Sequence, residues 1–297
     1  MSDYRYWDQL DHAEDWLLFP ENLGSRLSID ETSLSDGELY TIITNKEAKG
    51  RKGALVAVIK GTKASAVTDV LFKIPLKDRL VVKEITLDMS NAMDWIVRQG
   101  FPHAKKISDR FHVQQLVSEA LQEIRIRLRW EAIEEENNEI IEANKNKVKY
   151  SPIIYSNGDS KKQLLARSRY LLFKPQSKWS ASQKERADIL FKAFPELYTG
   201  YKLSLMFRNM YESSNKITAQ ERLEAWYKKV NSSKLKTFIT ASNTIKNNDS
   251  TILAYFPTRS TNASAESFNA KIKGFRGMVR GVKDRKFFLY RIAKLYA

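Results

Sequence analysis

Three acidic residues stand where predicted strands and a basic helix can bring them together: Asp30 in SIDETS, Asp88 in TLDMS and Glu266 in TNASAESFNAKIK. Asp30 ends the first strand of the main pattern and Asp88 ends the fourth. If those strands are parallel neighbours, both carboxylates emerge at the carboxyl edge of the sheet, where ligand sites gather in α/β folds. A third carboxylate on a helix packed there completes a hard oxygen cage. Mg²⁺ prefers such oxygens and keeps waters for substrate phosphates. Two such ions, about 3.5–4 Å apart, activate an attacking hydroxyl and stabilise the leaving oxygen of a phosphodiester. Taken singly, each acid has a plainer reading. An Asp after a strand is commonly a turn or cap residue, and Asp88 can serve the helix that follows it. Glu266 can complement a helix N-terminus. The combination, in this strand order, carries the metal reading.

The neighbours of Glu266 agree with a phosphate substrate. From Glu266 to the chain end, nine Lys/Arg face two acids, Glu266 and Asp284, a net of +7 over 32 residues. Helical spacing puts Asn269, Ala270 and Lys273 on the face of Glu266. Asn269, Lys271, Lys273, Arg276 and Arg280 are therefore expected to contact DNA. Asp109, Arg110 and His112 are expected to line the site. Asp109 ends the fifth strand, one position further from the first, so Asp88 is the expected second ligand. The plainer reading of His112 is a partly buried histidine at a helix start. Three scattered histidines offer no ligand spacing of their own.

The elements that must position these residues follow from periodicity. RLSID (26–30), ELYTIIT (38–44) and ALVAVI (54–59), separated by the glycine-bearing turns SDG and KGRKG, read as an antiparallel meander. KASAVTDVLFKI (63–74) has helical spacing and stops before Pro75. VKEITLDMS (82–90) is a fourth strand, NAMDWIVRQG (91–100) an Asn-capped helix and AKKISD (104–109) a fifth strand. The order β-β-β-α-β-α-β implies a mixed α/β sheet covered by helices. Strand patterns stop after Asp109. A long helix over 111–148 and further helical segments follow, with a capping box from Ser180 to Gln183. The expected parts are an acidic leader (1–26), the sheet-bearing core (27–110), a helical insertion (111–255) and a basic C-terminal helix (256–297) that completes the core. The leader reads as a helix docked through Trp7, Trp16, Leu17 and Leu18. Trp130, Trp179 and Trp226 read as core residues of the insertion.

Composition narrows the partners. A net charge of +15 and a pI near 9.7 point to a polyanion, nucleic acid before an anionic membrane surface. The chain is 42% hydrophobic, enough for a packed core. The lack of cysteine excludes disulfides, a thiol nucleophile and cysteine-bound zinc. No signal-peptide pattern opens the chain, and runs such as ALVAVI are too short to span a bilayer. A soluble protein of the bacterial cytoplasm, at the nucleoid, is expected.

The strand order with Asp30, Asp88 and Glu266 resembles a DDE transposase core. More narrowly, FPHAKKISDRFHVQQLV (101–117) and TNASAESFNAKIK (261–273) resemble the hallmark segments of the ISL group of bacterial insertion-sequence transposases, and the likeness runs from about residue 27 to 297. The resemblance implies an RNase H-like fold, a mixed five-stranded sheet interrupted by an all-α insertion before the last catalytic helix. It implies DNA transposition at an Asp30–Asp88–Glu266 site with Mg²⁺, for which Mn²⁺ can substitute. It also implies double-stranded DNA as partner, both transposon ends and target, and a homo-oligomer on that DNA. Members of the group usually carry a cysteine-rich segment and a helix-turn-helix ahead of the core. Only about 26 residues precede the first strand here. Either a separate DNA-recognition chain supplies the reader or the reading frame is a fragment. Two other readings compete: a stand-alone RNase H-like nuclease, and a non-catalytic, inhibitory DNA-binding remnant.

Overall fold

A computed structural model of the chain describes residues 2–35, 37–278 and 284–297. The chain forms two compact units, Met1–Val113 with Asn248–Ala297, and Gln114–Asn247.

The first unit opens with a short helix, α1 (Ser2–Arg5), and then β1 (Trp16–Leu18), β2 (Arg26–Ser35), β3 (Glu38–Asn45) and β4 (Leu55–Lys60). Two helices, α2 (Ala64–Leu71) and α3 (Leu76–Arg79), lead to β5 (Glu84–Leu87), α4 (Asn91–Gly100) and β6 (Lys105–Ser108). The six strands stand in the order β1-β4-β3-β2-β5-β6. β2, β3 and β4 are antiparallel neighbours, while β5 and β6 run parallel to β2 and to each other. Without β1 this is the RNase H-like sheet.

The sixth strand corrects the expected count of five. The leader is not one docked helix either. Trp16–Leu18 pairs antiparallel with β4, Trp16 opposite Ile59, and so covers what would otherwise be an open sheet edge. Leu17 is fully buried in the process.

Alternation along β2 decides what each sheet face becomes. Leu27 and Ile29 point to one face and join Ile43, Val67 and Leu71 of α2, and Met93, Ile96 and Val97 of α4 in one core cluster. Each such side chain contributes roughly 1.5–3 kcal/mol by leaving water. The opposite face holds Tyr40, Ile42, Leu55 and Val58. There the C-terminal segment returns as α13 (Ala263–Met278) and α14 (Arg285–Tyr296), after the short helices α11 (Asp249–Leu253) and α12 (Tyr255–Thr258). Phe268 and Ile272 of α13 and Phe288, Leu289 and Ile292 of α14 seal this second cluster. The single C-terminal helix expected from the sequence is therefore broken, and Asp284 caps α14 by accepting from Phe287 N at 2.9 Å. The cap of α4 is Ser90, whose hydroxyl accepts from Met93 N at 3.2 Å, not Asn91.

The second unit is helical. It contains the body of α5 (Arg110–Lys145), α6 (Lys161–Arg167), α7 (Ala181–Ala193), α8 (Pro195–Tyr211), α9 (Lys216–Ser233) and α10 (Lys236–Asn247). Val117, Ala120, Leu121 and Ile124 form the buried stripe of α5. Gly200 of α8 sits where a Cβ would come within 3.1 Å of Leu121 and Phe238, a close approach at which those side chains would have to shift by a few tenths of an ångström to admit any larger residue. The capping box at Ser180 and Gln183 is present. Trp179 and Trp226 are core residues, but Trp130 is 64% exposed, against expectation. It lies on the solvent face of α5 with Ile126, one turn earlier.

Candidate metal and DNA site

The parallel register lines up three carboxylates. Ser28 pairs with Thr86, and Leu87 with Ser108. Continuing each pairing past the strand ends puts Asp30 beside Asp88, and Asp88 beside Asp109. Adjacent strands are about 4.8 Å apart, so the acids form a row along the carboxyl edge of β2, β5 and β6. The hydrophobic residues between them face the other way, because side chains alternate. Asp30 thus shares its face with buried Ser28 and Thr86 rather than with Leu27 or Leu87.

Each acid has a local hold. Asp30 Oδ1 accepts from Glu31 N at 2.9 Å, and its Oδ2 accepts from Asn269 Nδ2 at 2.8 Å. Asp88 Oδ1 accepts from Ser90 N at 2.9 Å, the turn role that its position suggested. Asp109 is only 2% exposed, and its Oδ1 accepts from Asn262 N at 2.9 Å. Asn262 immediately precedes α13, so Asp109 sits at that helix's positive end. Glu266 occupies the first turn of α13.

The electrostatics show which groups share a field. Burial raises the pKa of Asp30; Glu31 N and His112 oppose the rise, while Asp109 and Asp88 add to it. Desolvation also raises Glu266, helped by Asp109 and Asp30 and opposed by His112. Glu31 is raised by burial, Asp88 and Asp30. Asp30, Asp109, Glu266 and His112 are thereby one electrostatic group, and Asp88 reaches it through Asp30. Among the described residues no three His, Asp or Glu side chains form a closed metal cage. The donor chemistry nevertheless fits a hard divalent cation. The donors are carboxylate oxygens that repel one another, and Asp109 Oδ2 is buried with no hydrogen-bond partner among the described residues.

The basic residues of α13 have varied placements. Asn269 is buried, 6% exposed, and its amide is committed to Asp30. This corrects the expectation that it faces DNA: one turn of helix from Glu266 points inward, onto β2. Lys271 Nζ donates to Gly50 O at 3.1 Å. Lys273 is exposed, and the Arg276 guanidinium lies 5.1 Å from the Phe288 ring centroid. Arg280 falls outside the described residues. Arg110 begins α5, and His112 is half-buried two residues further on.

Sequence reasoning missed Lys46. It follows β3, and its ammonium donates to Thr86 Oγ1 at 2.7 Å and to Ser260 Oγ. Burial lowers its pKa to about 8, while Glu84 and Asp109 pull it back up. No periodicity marks a lysine as buried. Asn262 was recoverable, since it stands in the quoted TNASAES segment.

No curated protein matches the chain. Among solved structures, the Drosophila P element transposase strand transfer complex is similar at 12% identity and a TM-score of 0.40, over 97% of this chain and 80% of that one. The sequence pattern of the ISL3-type DDE transposases matches residues 27–292, so that both the strands carrying Asp30 and Asp88 and the helix carrying Glu266 lie within it, and the chain belongs to that transposase family.

Proposed function

We propose that this transposase chain cuts and joins phosphodiesters at insertion-sequence ends through a divalent-metal site on Asp30, Asp88 and Glu266. The observation supporting this most is the register that aligns Asp30 with Asp88 on parallel neighbours, with α13 tied to Asp30 through Asn269. Mg²⁺ or Mn²⁺ bound there would activate the attacking hydroxyl and stabilise the leaving oxygen. The protein's own part is positional. Asn269 fixes one Asp30 oxygen, and Asp109 fixes the start of α13 and hence Glu266. His112 offsets part of the negative field while the carboxylates are uncompensated. Lys273 and Arg276, with Arg280, hold phosphates flanking the scissile bond. The helical segment 111–255 is an insertion into the core. Double-stranded DNA is the substrate, at the bacterial nucleoid, with a second copy of the chain as partner.

The test is nicking of supercoiled plasmid with Mg²⁺ or Mn²⁺, beside Asp88→Asn and Glu266→Gln. Metal-dependent nicking lost in both variants, with DNA affinity retained, supports the site. Nicking that survives both variants rejects it.

A further inference from the structure

The loop joining β3 to β4, KEAKGRKG (46–53), is a second cluster of positive charge, outside the carboxylate site. Its single acid, Glu47, is already engaged: it accepts from Ser25 Oγ at 2.7 Å and faces Arg26 at 3.6 Å. Lys49, Arg51 and Lys52 are all exposed, and none has an ion-pair partner among the described residues. Three uncompensated cations within four residues repel one another, so the loop needs either freedom to spread them or a rigid frame that holds them together.

The frame is present. Asn45 Oδ1 accepts from Glu47 N at 2.9 Å, Lys49 N donates to Lys46 O, Arg51 N to Ala48 O and Ala54 N to Arg51 O. Lys49 and Gly50 take left-handed backbone, φ 52° and 68°, and Gly53 follows at 82°. A lysine in that conformation is strained unless the surroundings over-determine it. Gly50 O is gripped by Lys271 Nζ of α13, and a Cβ on Gly50 would come within 3.2 Å of that nitrogen. The loop is thus fastened to α13, the basic helix that carries Glu266 in its first turn.

The geometry points to the β3–β4 loop as a clamp on the sugar-phosphate backbone of duplex DNA, contacting phosphates through Lys49, Arg51 and Lys52 beside the α13 contacts. A rigid array of unpaired cations suits a polyanion of fixed charge spacing, because little further ordering is needed on binding. The inference rests on the DNA-cutting reading above, but its test uses neither metal nor catalysis.

Duplex DNA binding is measured in EDTA across a salt series for wild type, for Lys49→Ala/Arg51→Ala/Lys52→Ala, and for a charge-matched control. The control is Lys63→Ala/Lys73→Ala/Lys77→Ala, exposed lysines around α2 and α3. Loss of three phosphate contacts should make the slope of log affinity against log salt shallower by about 2–3, with affinity roughly a hundredfold lower near 0.1 M salt. The control should change the slope by less than about 1. A loop variant with the wild-type slope, or a control matching the loop variant, overturns the clamp while leaving the cutting site intact. Wild type that does not bind duplex DNA overturns both. A melting temperature equal to wild type in the loop variant shows that the loss is of contact and not of fold, as expected for three exposed side chains.

Discussion

Asp109 and Asn262 lie 153 residues apart in sequence, yet the carboxylate of one accepts the backbone N–H of the other at 2.9 Å, both buried. This bond brings the segment returning from the helical unit onto the end of β6 and sets where α13 begins. Leaving a buried N–H without an acceptor costs about 1–3 kcal/mol. Asp109→Ala should therefore lower stability by that amount in chemical denaturation. Asp109→Asn keeps an acceptor oxygen and should retain most of the fold. The pair of variants also separates two roles. If Asp109 only positions α13, Asp109→Asn nicks plasmid at near wild-type rate. If it binds the metal in place of Asp88, Asp109→Asn folds but is inert, and Asp88→Asn is not.

The raised pKa values of Asp30 and Glu266 imply that their ionisation is unfavourable in the folded, metal-free protein. Between the ordinary carboxylate range and the raised value, the folded state binds more protons than the unfolded one. Stability from these groups is therefore present at lower pH and lost as pH rises through the folded pKa. Glu266→Gln removes one of the repelling charges, but Glu266 is exposed and solvent screens it, so the metal-free melting temperature at pH 7.5 should be equal to or slightly above that of wild type. Mg²⁺ should raise the wild-type melting temperature in proportion to its binding and affect Glu266→Gln much less. Equal Mg²⁺ responses of the two proteins would show that Glu266 does not hold the ion.

Lys46 carries the opposite sign. Burial holds its pKa at about 8, below the ordinary 10.5, with Glu84 and Asp109 resisting the drop and Arg26 deepening it. Between those values the unfolded chain binds more protons, so stability rises with pH across the interval. Below about pH 8 both states are protonated, and the full cost of burying the ammonium is present. Lys46→Met should lose this dependence. Urea midpoints of wild type and variant at pH 7, 8.5 and 10 check it, and curves that stay parallel refute it.

The strands, with Asp30, Asp88 and Asp109 at their ends, were legible because period-2 alternation marks strand position and side-chain direction, whereas the pairing of β2 with β5 and β5 with β6 was only a condition of that reading. Parallel pairing then needs only one register to align all three acids. β1 was not legible: three apolar residues after an acidic segment carry no period long enough to distinguish strand from helix, and pairing with β4 decides the matter. Asn269 was placed on the correct helical face but assigned the wrong side of the contact. Spacing shows that it shares a face with Glu266, and only packing shows that this face meets β2. Trp130 failed for a related reason. An aromatic residue at helical spacing is core only where its face of the helix is covered, and Trp130 lies with Ile126 on the open face of α5, while Ala132 further along the helix is buried. Lys46 left no trace, since its burial depends on Thr86 and Ser260, far apart in sequence.

Asn269 offers the sharpest check on how the site is held. Its Nδ2 supplies a hydrogen bond to Asp30 Oδ2, while its own Oδ1 is buried without a partner among the described residues. A side chain that orients a metal-binding carboxylate typically contributes 10–100-fold to affinity or activity. Asn269→Ala should thus reduce nicking by about that factor and raise the Mg²⁺ concentration required. Duplex DNA affinity in EDTA should stay within about twofold, because a residue 6% exposed cannot reach phosphates. Asn269→Asp is the harsher variant, since it places a second carboxylate against Asp30 in a buried setting and raises the cost of ionising both. It should be worse than alanine in nicking at low Mg²⁺ and recover partly as Mg²⁺ increases. If Asn269→Ala instead loses DNA affinity with its salt slope, the residue meets phosphate after all, and α13 must lie differently on β2 when DNA is bound.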